Sequence, residues 1–278
     1  MKIQLSAGRL VAFREHLRSE EKSDATVEKY LRDAGRFLDF AGDTPVTKEL
    51  AVAYKKHLEE AGFALRSVNS MLTSLNRFLA FLGAVHCRVR TLKTQRRIYA
   101  SEERTLTKAE YLRLLDAARG KKQLFLVLQT ICATGIRVSE LRYFTREALT
   151  HGEITVNCKG KTRTILIPGD LRKKLVGYAA ERRITRGPVF VTRSGNPLDR
   201  SNLWHQMKKL CAAARVNPQK VFPHNLRKLF ARTFYQMERD IAKLADILGH
   251  GSIETTRIYI MSTGVEHRRR MERLGLLC

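Results

Sequence analysis

Apolar residues recur at intervals of three and four through the first 92 positions, the spacing of helices with one buried face. In "SAGRLVAFREHLRSE" Leu10, Phe13 and Leu17 share a face. In "SDATVEKYLRDAGRFLDF" Val27, Tyr30, Leu31, Ala34, Phe37 and Leu38 do, with Ser23 or Asp24 placed to cap the helix. "TKELAVAYKKHLEEAG" ends at Gly62, a helix stop signal. "LRSVNSMLTSLNRFLAFLG" turns Val68, Leu72, Leu75, Leu79 and Leu82 inward and leaves Arg66, Ser70, Thr73 and Arg77 along the opposite side. Four short helices of this kind predict a small bundle over residues 1–92. The charge-dense "TLKTQRRIYASEER" has no apolar period and reads as a linker, residues 93–103.

From residue 104 the pattern becomes mixed. "TKAEYLRLLDAA" and "KKQLFLVLQTICATG" read as helices, the second closed by Gly135. "EITVNC" and "TILIP" are β-rich runs on either side of "KGKTR", which predicts a hairpin. "GPVFVT" and "RSGNPL" suggest a further strand and turn. Then "DRSNLWHQMKKLCAAARV", "HNLRKLFARTFYQM" and "RDIAKLADILG" return to helical spacing, and a short helix carries Tyr259. Beyond it, "TGVE" has capping-box spacing, so a tail helix should begin near Thr263. The expected fold class is mainly α with a small β-sheet, in two domains: helical over 1–92 and α+β over 104–278.

Charge changes this picture most. The chain carries 52 Lys and Arg against 27 Asp and Glu, a net charge of +25. Both parts contribute, +7 from residues 1–100 and +18 from residues 101–278. So strong a field attracts a polyanion, and with both halves basic, a clamp around duplex DNA is the expected partner geometry. Five widely spaced cysteines include no C-x-x-C pair, so neither a zinc ribbon nor a disulfide framework is expected. No apolar run reaches membrane-spanning length, and the N-terminus is too charged for a signal peptide, so cytoplasmic residence is the default.

Four polar motifs stand out in this background. "TGIRVSEL" puts Arg137 after a glycine turn, and "CKGKTR" puts Lys159 and Lys161 at the hairpin tip. "PHNLRK" puts His224 and Arg227 three apart on one helix face, and "LGHGSIETTRIY" supplies His250 and Tyr259. Each alone has an ordinary explanation: a surface ion pair, solvated lysines, a chance H-x-x-R, a core tyrosine. Together they supply every part needed to attack a phosphodiester without a metal or other cofactor. Two guanidiniums can offset charge on the phosphate, and a lysine can protonate the leaving oxygen. Imidazoles can handle the nucleophile's proton, and a phenol among cations can attack. Glu140, one turn from Arg137, is placed either to orient it or to be a surface partner, and is not expected to do chemistry.

In order and spacing, "TGIRVSEL", "CKGKTR", "HNLRK" and "LGHGSIETTRIY" resemble the tyrosine recombinase (phage integrase) family, over most of residues 104–260. "SDATVEKYLRDAGRFLDF" resembles the family's SAM-like core-binding domain, and the compact layout looks Xer-like. The resemblance implies an active site of Arg137, Lys159, His224, Arg227, His250 and Tyr259. Lys159 is preferred over Lys161 because it matches the lysine between the first strand and the turn glycine. Arg66, Thr73, Arg77, Lys161 and Arg163 are expected to face DNA. The implied reaction is strand cleavage and rejoining through a 3′-phosphotyrosyl bond and a Holliday junction. The implied assembly is a homotetramer on short inverted-repeat core sites, with the tail helix exchanged between protomers. A type IB topoisomerase shares the active-site logic, and a non-catalytic DNA-binding protein could keep the fold. The Xer-like layout disfavours the first, and the filled catalytic positions disfavour the second.

Overall fold

A computed structural model describes residues 7–95, 98–158, 161–192 and 194–276. The chain divides into two compact units, residues 1–96 and 97–278.

In the first unit, α1 (Ala7–Ser19), α2 (Asp24–Ala41), α3 (Lys48–Glu60) and α4 (Leu65–Phe81) surround one apolar core. The inward positions include those the spacing predicts: Phe13, Leu17, Phe37, Leu72, Leu75 and Leu79 are fully buried. Thr47 caps α3 through its hydroxyl, and Ser23 precedes α2. One charged group is enclosed. Asp33 Oδ2 accepts from Lys29 Nζ one turn earlier on α2 (2.7 Å) and from the Ser74 hydroxyl of α4 (2.8 Å), so the buried carboxylate is both ion-paired and hydrogen-bonded.

The chain leaves α4 through a 3₁₀ turn, Val85–Cys87, and then runs extended along the bundle. Asn76 exchanges two hydrogen bonds with the backbone of Val89 (2.8 and 2.9 Å), and Asn69 does the same with Leu92 (2.9 and 2.7 Å). The dimensions match: two helical turns between the asparagines rise about 10.5 Å, and three extended residues span about 10 Å. Lys48 and Lys55 hold the carbonyls of Arg88 and Arg90. Residues 88–92 are therefore strapped to α3 and α4.

The second unit opens with residues bonded to its far end. Ala100 bridges to Thr263, its N–H donating to the Ser262 carbonyl (2.9 Å). Helix α5 (Lys108–Ala117) starts with a Thr107–Glu110 capping box. Helix α6 (Lys122–Thr134) is central, with Leu124, Leu126, Val127, Leu128 and Ile131 buried, and it ends on the left-handed Gly135. Val138–Tyr143 is a 3₁₀ helix, followed by α7 (Arg146–His151). β1 (Glu153–Cys158) and β2 (Lys161–Leu166) pair antiparallel, with Glu153 opposite Leu166 and Cys158 opposite Lys161. Ile154, Val156 and Ile165 face the core. Helix α8 (Gly169–Glu181) packs on α6 and α7.

Two expectations are corrected. "GPVFVT" forms no strand among the described residues. Its backbone groups are taken by single contacts, Val189 N–H to Phe144 O and Thr192 N–H to Asn196 O, so no ladder develops. "DRSNLWHQMKKLCAAARV" is two helices, α9 (Arg200–Lys208) and α10 (Cys211–Ala214). Next come α11 (Pro223–Glu238), with proline in its first turn, α12 (Ile241–Leu248), ending at the left-handed Gly249, α13 (Ile253–Ile260) and α14 (Gly264–Glu272). The predicted Thr263–Glu266 capping box is present. No described helix is long and apolar enough to cross a membrane.

Candidate active site

Three consecutive backbone carbonyls at the end of α12 organise the site. Ile247 O accepts from Arg163, Leu248 O from Arg227 (2.5 Å) and Gly249 O from Arg137 (3.1 Å). A helix C-terminus carries unsatisfied carbonyls and partial negative charge, so it suits cations. Here one such end gathers guanidiniums from β2, α11 and the turn after α6.

Arg227 is the deepest, 1% exposed. Its second strong bond goes to Gly135 O at the end of α6 (2.5 Å), and its Nε has no hydrogen-bond partner among the described residues. Burial, followed by repulsion from Arg137, lowers its pKa to about 10, which still leaves it charged at neutral pH. Arg137 is shallower, its side chain 36% exposed. Glu140 orients it: one carboxylate oxygen accepts from the Arg137 backbone N–H (2.7 Å) and the other from its guanidinium (3.1 Å).

His250 follows Gly249 and sits against Arg227, Nη2 to Nε2 being 3.1 Å. A guanidinium only donates, so Nε2 accepts and carries no proton. The neutral ring then has its proton on Nδ1, which donates to Thr256 Oγ1 (2.9 Å). The same environment lowers the pKa of His250 to about 4, through burial first and then Arg227 and Arg137. His224, in the first turn of α11, is lowered to about 4 by burial and then by Lys228 and Arg227. Tyr259 on α13 lies between the two rings, with centroids 4.9 Å from His224 and 4.6 Å from His250, both edge-on. Its hydroxyl is 3.5 Å from His224 Nδ1, and the Arg227 guanidinium lies 5.9 Å from its ring centre. A phenol is thus held between two neutral imidazoles, with the Arg227 guanidinium near its ring.

The phage integrase family model matches residues 104–264, and the model of its N-terminal SAM-like domain matches residues 10–85. The chain belongs to the phage integrase family. Tyrosine recombinase XerA of Pyrococcus furiosus is 29% identical over 276 residues, covering 96% of this chain and 94% of that protein. Tyrosine recombinase XerA of Thermococcus kodakarensis is 30% identical over 268 residues, covering 94% and 92%. Among solved structures, a lambda integrase tetramer bound to a Holliday junction aligns at TM-score 0.73 and 18% identity, over 95% of this chain and 79% of that one. A XerA recombinase crystal structure aligns at TM-score 0.53 and 24% identity, over 98% and 99%. At those identities the structural matches speak for the integrase fold alone.

Within this family member, Arg137, Arg227, His224, His250 and Tyr259 converge. Lys159 lies outside the described residues, while Lys161 opens β2 opposite Cys158. Of the positions expected to face DNA, Arg66 and Thr73 are exposed on α4. Arg77 is half-buried and paired with Glu20. Arg163 is a correction: its side chain is 9% exposed and bonded to Glu140 and Ile247 O, so it is a buried strut and offers no open DNA contact. Thr256, 0% exposed and bonded to His250, was missed. Its signal was available, because positions 256 and 259 are three apart on one helix face. No three His, Cys, Asp or Glu side chains among the described residues are grouped to hold a metal ion.

Proposed function

We propose that the chain is a site-specific DNA recombinase whose nucleophile is Tyr259. One observation carries this reading: the Tyr259 phenol packs between neutral His224 and His250 and near Arg227, whose guanidinium shares the end of α12 with that of Arg137. The Tyr259 oxygen attacks the scissile phosphorus, the bond to the 5′ oxygen breaks, and a 3′-phosphotyrosyl bond forms. His224, nearest the hydroxyl, takes the phenol proton, which its lowered pKa permits at neutral pH. Arg137 and Arg227 hold the non-bridging oxygens as charge accumulates. Lys159 delivers a proton to the 5′ oxygen. Attack by a 5′-hydroxyl from a partner strand reverses these steps, so the phosphodiester bond energy is conserved. Arg227 is sealed by its surroundings, so the phosphate reaches it as Tyr259 moves from over the guanidinium to its in-line position.

The DNA partner is a duplex with short inverted repeats, and the acting form is a homotetramer. The tail supports that assembly. Its root is fixed to its own unit, through Ala100, a Val265 N–H bond to Glu102 (3.2 Å) and an Arg232–Glu266 ion pair. Met271, Leu274 and Leu276 stay 57%, 62% and 82% exposed, which suits a neighbouring protomer. The test is to trap covalent protein–DNA adducts on fragmented genomic DNA and sequence the attached ends. Wild type should yield adducts with a free 5′-hydroxyl at one recurrent site, and the Tyr259→Phe chain none. Adducts formed equally by Tyr259→Phe would refute the assignment. A strand-exchange product on the recovered site, beyond relaxation of supercoils, separates recombination from topoisomerase action.

A further inference from the structure

Glu140 is 3% exposed and serves two arginines with one carboxylate. One oxygen accepts from the Arg137 guanidinium (3.1 Å), and the other from Arg163 Nη2 (2.5 Å). Arg163 is tied further to Ile247 O, at the helix end whose next two carbonyls hold Arg227 and Arg137. Gly249 leaves room for it: a Cβ there would fall 2.5 Å from Arg163 Cδ, and the left-handed φ of +62° also favours glycine.

Charge balance gives this arrangement its meaning. A buried carboxylate facing a single guanidinium draws it into a bidentate pair, with both donors on one edge spent and the charge offset. With Arg163 sharing one oxygen with the Arg137 backbone N–H, Arg137 keeps a single guanidinium bond to Glu140, on the other oxygen. We infer that Arg163 is a positioning residue that occupies Glu140 and so leaves the Arg137 N–H donors not spent on Glu140 and Gly249 O, and its positive charge, available to the scissile phosphate. This deepens the recombinase reading above and rests on it.

The test uses the full chain and the duplex recovered from wild-type adducts, made with either the native phosphate or a methylphosphonate at the cleaved position. The methylphosphonate lacks one oxygen's charge and depends less on Arg137. Initial adduct rates are measured on both for wild type, Arg163→Met and Arg163→Lys. The ratio of the two rates within one protein does not depend on how much of it is folded. Arg163→Met should be slower on the native phosphate by about tenfold or more, below the 10²–10³ typical of losing a donor outright. Its methylphosphonate-to-phosphate ratio should rise at least about tenfold above wild type, with Arg163→Lys falling between. An unchanged ratio in both variants would overturn the inference, leaving Arg163 as packing alone. A wild-type protein whose adducts do not require Tyr259 would overturn the recombinase reading, and this inference with it.

Discussion

Replacing Thr256 with valine removes one hydroxyl from a fully buried position and keeps the shape of the side chain. The hydroxyl accepts the Nδ1 proton of His250, the tautomer that the donor-only Arg227 facing Nε2 requires. Without it the Nδ1–H is stranded against a methyl group, which costs about 1–3 kcal/mol for a buried unsatisfied donor. In a unit of residues 97–278, each kcal/mol moves the melting temperature by about 2–4 °C. A loss of about 2–12 °C is therefore expected by calorimetry. The ring can escape the cost by moving its proton to Nε2, but that atom faces the donor-only Arg227. Either outcome disturbs His250, and if the whole cost reaches the transition state, adduct formation slows by up to about a hundredfold. Thr256→Ser keeps the hydroxyl and should stay close to wild type in rate. The assay is single-turnover adduct formation on the recovered site, beside a thermal melt of each protein. A Thr256→Val chain with wild-type melting and wild-type rate would refute the tautomer argument.

The remaining expectations test other parts of the site. Arg137→Ala should slow cleavage by about 10²–10³ with little change in melting. Arg227→Ala should do both, because it also strands the buried carbonyls of Gly135 and Leu248, at about 1–3 kcal/mol each; equal melting temperatures for the two variants would contradict their different depths. His224 and His250 should stay neutral down to about pH 4, read by NMR of the ring carbons in the DNA-free protein. Because their folded values lie below the unfolded one, the unfolded chain binds more protons, and the stability they contribute is lost as pH falls from about 6.5 to about 4; midpoints near 6.5 in the folded protein would be the contrary result. Gly135→Ala places a methyl group inside the Phe230 ring at a φ of +64° and should cost about 2–5 kcal/mol by denaturant unfolding; a neutral effect would mean that the turn after α6 repacks freely.

Local patterns reveal much of this molecule. The face of α4 was readable because Val68, Leu72, Leu75 and Leu79 recur at the helical period. Gly135 and the Thr263 capping box were readable because cap chemistry is local. The false strand at "GPVFVT" shows the limit, since β-rich residues make a strand only where a partner edge exists, and here the acceptors are scattered carbonyls. Arg163 shows the same limit at the site. Its place beside two lysines suggested a DNA-facing side chain, whereas its partners are 23 residues away at Glu140 and 84 away at Ile247. The straps from Asn69 and Asn76 were hidden for that reason too, because a polar residue on a helix gives no sign of the backbone it will bind.

The end of α12 has a consequence for how the site tolerates mutation. Arg163, Arg227 and Arg137 are held by the carbonyls of residues 247, 248 and 249, and a carbonyl is supplied by every amino acid. Substitutions that preserve the chain's path leave these acceptors in place whatever their side chains. In a saturation library, then, Ile247 should accept varied residues and Leu248, fully buried, other apolar ones, with the arginines still anchored. The intolerant positions are the ones that steer the path, Gly135 and Gly249, whose left-handed turns aim the carbonyls inward. Beyond the side chains that do the chemistry, genetic fragility in the backbone that anchors them should therefore be concentrated in two residues that have no side chain at all.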